Sequence, residues 1–171
     1  GQVDAFGVLY ERHAAVIFRY LYAHLGSRQD AEDLTSDVFL RAWQALPTYN
    51  ERGAPFRAFL FRIAHNALVD HYRQQKRNPS VPLEETRVST DGNPSPANAI
   101  LIQANQQELA CLLGELKEDF RTVLALRFIS QLSPSETAVV MRRSPGAIRV
   151  MQHRALEALR HKVKNKETDQ I

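Results

Sequence analysis

The segment Leu132 to Leu159 restricts the chain most. It reads LSPSETAVVMRRSPGAIRVMQHRALEAL, and two helical patterns stand in it almost end to end. Each opens on a Ser-Pro pair, Ser133-Pro134 and then Ser144-Pro145. A serine hydroxyl accepts from an otherwise unpaired helical N–H, and proline suits the first helical position, where its missing N–H costs nothing. Glu136 stands three residues after Ser133 and completes a capping-box pattern. The link near Met141 to Ser144 leaves room only for a tight turn. This spacing predicts a helix-turn-helix.

Projected at about 100° per residue, the second helix divides in two. Ile148, Met151, Ala155, Leu156, Leu159 and Val163 form a core-facing arc. Gly146, Arg149, Val150, His153, Arg154 and Glu157 face the other way. Between Arg142 and Lys166 eight Arg and Lys stand against Glu157 alone, a local +7 in a chain of net charge +3. Such an excess favours phosphate contacts and counterion release from DNA. A solvated basic face on a helical hairpin is the plainer alternative.

The 171 residues allow one or two domains, each able to bury a core. Gly1 stands where an initiator Met would be, so the sequence is expected to be trimmed at its start. No apolar run has the length of a membrane span, no secretory signal pattern opens the chain, and the expected compartment is cytoplasmic, without membrane insertion. A single cysteine, Cys111, excludes an internal disulfide and a cysteine-based zinc site. It lies among Leu109, Leu112, Leu113 and Leu116, so a packed thiol is expected.

In chain order, Phe6, Leu9, Tyr10, His13, Val16, Ile17, Tyr20, Leu21 and His24 recur at helical spacing, and Gly26 suits a helix C-terminus. His13 and His24 read as surface or interfacial residues rather than ligands. From Ser27 to Leu46 the stripe is Leu34, Val38, Phe39, Ala42, Trp43 and Leu46. Asp30, Glu32, Asp33 and Asp37 give four negative charges in eight residues with no base among them. The helix macrodipole accounts for Asp30 and Asp33. Asp37 lies deeper, and an acidic face for a basic protein partner is the functional alternative. Pro47, Asn50, Gly53 and Pro55 mark a loop.

A long helix follows, with Phe56, Phe59, Leu60, Ile63, Ala64, Ala67, Leu68 and Tyr72 as its apolar face. Arg57, Phe61, Arg62, His65, Asn66, Asp70, Arg73, Lys76 and Arg77 lie largely off it. Arg52 to Arg77 carries six cations against Asp70, a net +5. Aromatics beside cations suit single-stranded nucleic acid, with rings for bases and cations for phosphates. An aromatic-rich core explains most of these rings equally simply. Asn78 to Ala99 holds four prolines and no periodicity, and reads as a flexible linker of up to ~70 Å between two helical domains. Ile100 to Ile129 carries two stripes, with a break near Lys117 to Asp119. After Val163 the polar tail is expected to fray. No strand period appears, so the expected fold is all-α.

Enzyme motifs are absent: no P-loop, no G-x-G-x-x-G after a strand, no H-E-x-x-H and no nucleophile elbow. His65 and His71, six apart on one helix, point in different directions. No catalytic set, metal site or cofactor is expected.

Taken together these blocks resemble the RNA polymerase sigma factors of the extracytoplasmic-function (ECF) type, group 4 of the sigma-70 superfamily. Asp30 to Trp43 (DAEDLTSDVFLRAW) is similar to region 2.2, Phe56 to Arg77 to regions 2.3 and 2.4, and Leu116 to Leu159 to regions 4.1 and 4.2. The resemblance implies a region 2 helical bundle over 1–78, a linker over 79–99, a region 4 helix-turn-helix domain over 100–166 and a tail over 167–171. It implies core RNA polymerase as a partner, through the β′ clamp helices and the β flap, together with promoter DNA and an anti-sigma factor. Asp33, Thr35, Asp37, Phe39 and Trp43 match the clamp-binding surface or its support. Tyr49, Asn50, Phe59, Arg62, Asn66, Arg73, Lys76 and Arg77 match the face that melts and reads the −10 element. Ser144, Gly146, Arg149, Val150, His153 and Arg154 match the −35 reader.

There are departures from the family pattern. Phe59 stands where tryptophan is usual, and Pro134 and Thr137 replace an aromatic and an aliphatic residue. Val150 replaces a small polar residue and Gln152 an apolar one. The preferred promoter sequence therefore does not transfer. Without the resemblance, the same residues also fit a polymerase-independent helix-turn-helix regulator or a helical protein-binding adaptor.

Overall fold

A computed structural model describes residues 1–77 and 107–170, and among them every regular element is helical. Helix α1 spans Gln2–Leu25. It ends at Gly26, whose φ of 67° is one that side chains resist and glycine adopts freely. Ser27 then caps α2, Arg28–Ala45, its hydroxyl accepting from the Asp30 N–H at 3.3 Å. A short 3-10 turn, Leu46–Thr48, leads through a loop to α3, Phe56–Arg77. The linker reading falls on residues outside the described set.

Among the described residues the second half begins with α4, residues 107–114. Helix α5, Glu118–Leu124, runs directly into a wider π turn, Ala125–Ile129. Both Ser-Pro openings form the helices expected. Ser133 accepts from the Glu136 N–H at 3.1 Å while its own N–H donates to the Glu136 carboxylate at 3.0 Å. That closed box starts α6, Pro134–Met141. Arg142, at φ 56°, turns the chain, and Ser144 caps α7, Pro145–Asp169.

The two halves pack on one another. One core cluster joins Ile17, Tyr20 and Leu21 of α1 and Leu60, Phe61 and Leu68 of α3 to Leu126, Leu132 and Val140 of the second half. A second cluster places Ala23 of α1 among Leu113, Leu116, Val123 and Leu124. This explains one departure from the sequence reading. Phe61, expected off the apolar face, is 1 % exposed, because the second half covers that side of α3. His65 beside it pairs with the Tyr20 hydroxyl at 3.3 Å.

Polar contacts tie the same joint. Arg57 donates to the Ser130 carbonyl, and Arg121 reaches the Tyr72 hydroxyl at 3.4 Å. Arg121 also donates to the carbonyls of Leu113, Gly114 and Leu116, which closes the C-terminal end of α4. His24 is buried at the joint. Its Nδ1–H donates to the Tyr20 carbonyl at 3.0 Å, which can only accept, so Nε2 accepts from the Thr122 hydroxyl at 3.2 Å.

Two further expectations are corrected. Cys111 is exposed rather than packed, since α4 turns Ala110 and Leu113 inward instead. The tail does not fray after Val163: α7 continues to Asp169, with Lys166 pairing to Glu115 at 3.2 Å and the Thr168 hydroxyl bonded to the Lys164 carbonyl at 3.0 Å.

Candidate nucleic-acid and polymerase interfaces

The reading face of α7 is fully displayed. Gly146, Arg149, His153 and Arg154 are exposed, and Val150 is 51 % exposed despite its apolar side chain. Ile148 and Ala155, on the opposite side, are buried completely. The Ser144 hydroxyl accepts from the Ala147 N–H at 3.1 Å, so the serine holds the helix start as well as standing at its surface. His153 lies 3.4 Å from Glu157, a pair that attracts only when the imidazole is protonated. No atom crowds the Gly146 Cα, which leaves the helix start open to a close neighbour. A helix with cations and a bare backbone at its N-terminal end fits the major groove, where the first turns of such a helix reach base edges.

On α3 the candidate residues fall in a strip. Taking Phe59 as origin, Arg62, Asn66, Arg73 and Arg77 lie within about 60° of it, and Lys76 about 100° away. Arg62, Asn66, Arg73, Lys76 and Arg77 are exposed and Phe59 is partly so. At the head of the strip Tyr49, Phe56 and Phe59 form a ring cluster, with centroids of Tyr49 and Phe59 4.7 Å apart. The Tyr49 hydroxyl donates to the Ala54 carbonyl at 2.9 Å and holds the loop in a closed curve. Asn50 supports the same loop by accepting from the Arg52 N–H at 3.0 Å.

Beside the rings lies a groove of about 460 Å³ bordered by His13, Tyr49, Glu51, Phe56, Arg57 and Glu136. Burial, then the charges of Arg12 and Arg57, hold His13 below its ordinary range. Rings at the top of a cationic strip supply the two things an unpaired strand needs, stacking surfaces and phosphate partners.

The α2 face is more mixed than its sequence implied. Trp43 is 38 % exposed, with Phe6 packed edge-on against it at 4.9 Å. Asp33 is exposed and accepts from Gln29 at 3.1 Å. Thr35 and Phe39 are buried and have little surface to offer a partner, so they act as support. The Thr35 hydroxyl donates to the Ala31 carbonyl at 2.6 Å, and Phe39 meets Tyr10 edge-on at 4.8 Å. The acidic run also has bases close by. Arg28 pairs with Glu32 at 3.1 Å, and Arg41 bridges Asp37 at 3.0 Å and Asp70 of α3 at 2.8 Å. The i,i+4 pairs were legible in the sequence, but the reach to Asp70 was not. Arg57 is thus a structural residue that the charge pattern alone had placed among free cations, and Arg41 is one that the sequence reading passed over.

Comparison with known proteins identifies the family. Residues 9–78 match Sigma-70 region 2 and residues 106–159 match Sigma-70, region 4. The ECF RNA polymerase sigma factor BldN of Streptomyces coelicolor is 35% identical over 159 residues, which cover 93% of this chain and 60% of BldN. The chain thus spans less than two thirds of that relative. The ECF RNA polymerase sigma factor ShbA of Streptomyces griseus is 37% identical, covering 78% of this chain and 72% of ShbA. Among solved structures, CnrH in complex with the cytosolic domain of CnrY is similar at a TM-score of 0.74 and 29% identity, covering 96% of this chain and 91% of CnrH.

Proposed function

Since the chain belongs to the ECF sigma factors of RNA polymerase, we propose that it directs core polymerase to promoters by dividing the work between its two halves. Region 2 is assigned to 1–78, the linker to 79–99, region 4 to 100–166 and the tail to 167–171. Asp33, Asp37 and Trp43 meet the β′ clamp helices, with Thr35 and Phe39 holding α2 in shape behind them. Arg62, Asn66, Arg73, Lys76 and Arg77 follow the strand exposed at the −10 element. Tyr49, Asn50 and Phe59 form the loop and ring surface that receives an unstacked base. Unstacking costs a few kcal/mol per base, and aromatic stacking returns about 1–3 kcal/mol. Arg149, Val150, His153 and Arg154 read the −35 element from the major groove, with Ser144 and Gly146 at the groove entrance.

No bond is made or broken by this chain in such a role: binding energy alone biases the duplex toward opening. The site of action is the cytoplasm. No helix of the described residues is long and apolar enough to cross a membrane. The complex of CnrH with the cytosolic domain of CnrY supports a protein partner for this chain as well, and we assign that partner to the anti-sigma kind that the family resemblance implies.

One observation carries the reading. A single chain displays both an aromatic-headed cationic strip on α3 and a basic recognition face on α7. A polymerase-independent regulator needs only the second. Run-off transcription with core polymerase over a promoter library tests it. Specific initiation is expected only when core and this protein are both present. Tight, specific duplex binding by the free protein as a dimer would overturn it.

A further inference from the structure

Gln152 sits where the helix projection wants an apolar residue. It lies about 60° from Arg149, on the core side of α7 near Ile148 and Ala155. A partly buried amide without a partner costs of order 1–3 kcal/mol, so its bonding has to be accounted for.

Arg127 provides the partner. Its Nε–H donates to Gln152 Oε1 at 2.8 Å, and its Nη1 donates to the Leu132 carbonyl. Arg127 stands on the π turn Ala125–Ile129. Leu132 is the fully buried residue just before the Ser133 cap of α6. One planar guanidinium therefore joins the π turn, the entry to the helix-turn-helix and the recognition helix.

What this bond adds is orientation. The buried residues of α7 are Ile148 and Ala155. Met151, Leu156 and Leu159 pack partly beside them, and because such apolar contact is non-directional, a directional bond adds to its hold on the roll of the helix. A guanidinium bond is directional and comes from a rigid fork. A roll of about 20° moves an atom at the ~6 Å outer radius of a helix by about 2 Å, enough to break a base contact.

The bond also limits what Gln152 can do on DNA. Glutamine reads adenine by offering an acceptor and a donor together. With Oε1 held by Arg127, the amide keeps one Oε1 lone pair and its N–H groups, but it cannot swing that oxygen away from the core side of α7 toward a base without breaking the bond.

We propose that Arg127 and Gln152 are a specificity-determining brace: they fix the roll of α7 and thereby set which −35 bases Arg149, Val150, His153 and Arg154 reach. The brace rests on the promoter-reading role of α7. Gln152 is a positioning residue in it, acting through its neighbours and not by touching a base.

The test uses the full chain with core polymerase and a library varied only at the −35 element, scored as relative use of each sequence. Gln152→Leu and Arg127→Met should shift the preference profile in the same direction, by about five- to tenfold between favoured and disfavoured sites. The double variant should shift it no further. Gln152→Glu should keep the profile, because its carboxylate accepts from the same guanidinium, even if overall use falls uniformly. Core affinity and −10 preference should not move.

An unchanged profile in Gln152→Leu overturns the brace. So does additivity of the two single variants. A change confined to one base position in Gln152→Glu overturns it too, since Gln152 would then be reading that base. A second readout needs no DNA. In the free 15N-labelled protein the Arg127 Nε–H should exchange slowly in wild type and in Gln152→Glu, and quickly in Gln152→Leu. Rapid exchange in the wild type overturns the brace on its own. If the wild type gives no core-dependent initiation at all, the functional reading fails, and the exchange measurement still decides the brace.

Discussion

The His24 imidazole accepts a hydrogen bond from the Thr122 hydroxyl at 3.2 Å, and 98 positions of sequence separate the two. This contact lies inside the joint between the halves. Burial, with the Arg121 and His65 charges adding to it, pulls the His24 pKa down to about 3 from 6.5. Burial lowers His65 as well.

The sign of the resulting pH dependence follows directly. In the unfolded chain His24 takes up a proton below about pH 6.5, while in the folded chain it stays neutral until about pH 3. Its contribution to stability is therefore complete above 6.5 and is lost as pH falls toward 3, at up to ~1.4 kcal/mol per pH unit. Thermal melts between pH 7.5 and about 4.5 should show this decline, and His24→Gln should flatten it. An equal slope in the variant would assign the loss to other groups.

Phe61 and Phe59 should separate cleanly. Phe61 meets Tyr20 edge-on at 5.5 Å and is enclosed by both halves. Phe61→Ala should cost about 3–5 kcal/mol in denaturant unfolding. Phe59 is partly exposed within the ring cluster, so Phe59→Ala should cost less stability and act on open-complex formation. A permanganate footprint of the −10 region in the presence of core polymerase measures the second effect.

Arg154→Ala should weaken promoter use by about 1–3 kcal/mol while leaving core affinity intact. Asp37→Ala should do the reverse. Its effect on core affinity should be modest, because Arg41 already shares the Asp37 carboxylate with that of Asp70. Asp33→Ala, whose carboxylate has only a neutral amide partner, is expected to cost more. Fluorescence anisotropy with labelled core and with a promoter duplex bound to holoenzyme measures the two affinities. The same defect in both assays for Arg154→Ala and Asp37→Ala would end the division of labour.

Arg57→Met should loosen the joint without removing a reading residue, since its guanidinium is engaged by the Ser130 carbonyl. A larger radius of gyration by small-angle scattering is the expected result. An unchanged radius would show that the shared apolar core alone keeps the halves together.

The local structure was written plainly in the sequence. Ser133 with Glu136, Ser144 with Pro145, and Gly26 are cues that act within one turn, so they can be read without knowing the fold. The exposed faces of α3 and α7 also followed from period and charge. Phe61, His24 and Arg57 were misplaced or left undecided for one reason: their partners come from the other half of the chain, and helical periodicity describes one element at a time. Gln152 looked anomalous for a related reason: its partner lies in the same half but on another element. Its partner Arg127 stands 25 residues earlier on a π turn, which no capping or turn signal announces.

The shared core has a consequence for how the molecule meets a promoter. Elements centred near −35 and −10 are about 25 base pairs apart, or ~85 Å at 3.4 Å per pair. A compact chain of this size has a radius of gyration of only ~15 Å. In the proposed role the two halves must part before both elements can be held, which exposes the shared core around Phe61, Leu126 and Leu132. The parted form is thus a poor solute by itself and a good client for whatever covers those side chains. In the proposed role, affinity for a promoter is lowered by the cost of exposing those side chains unless the polymerase partner covers them.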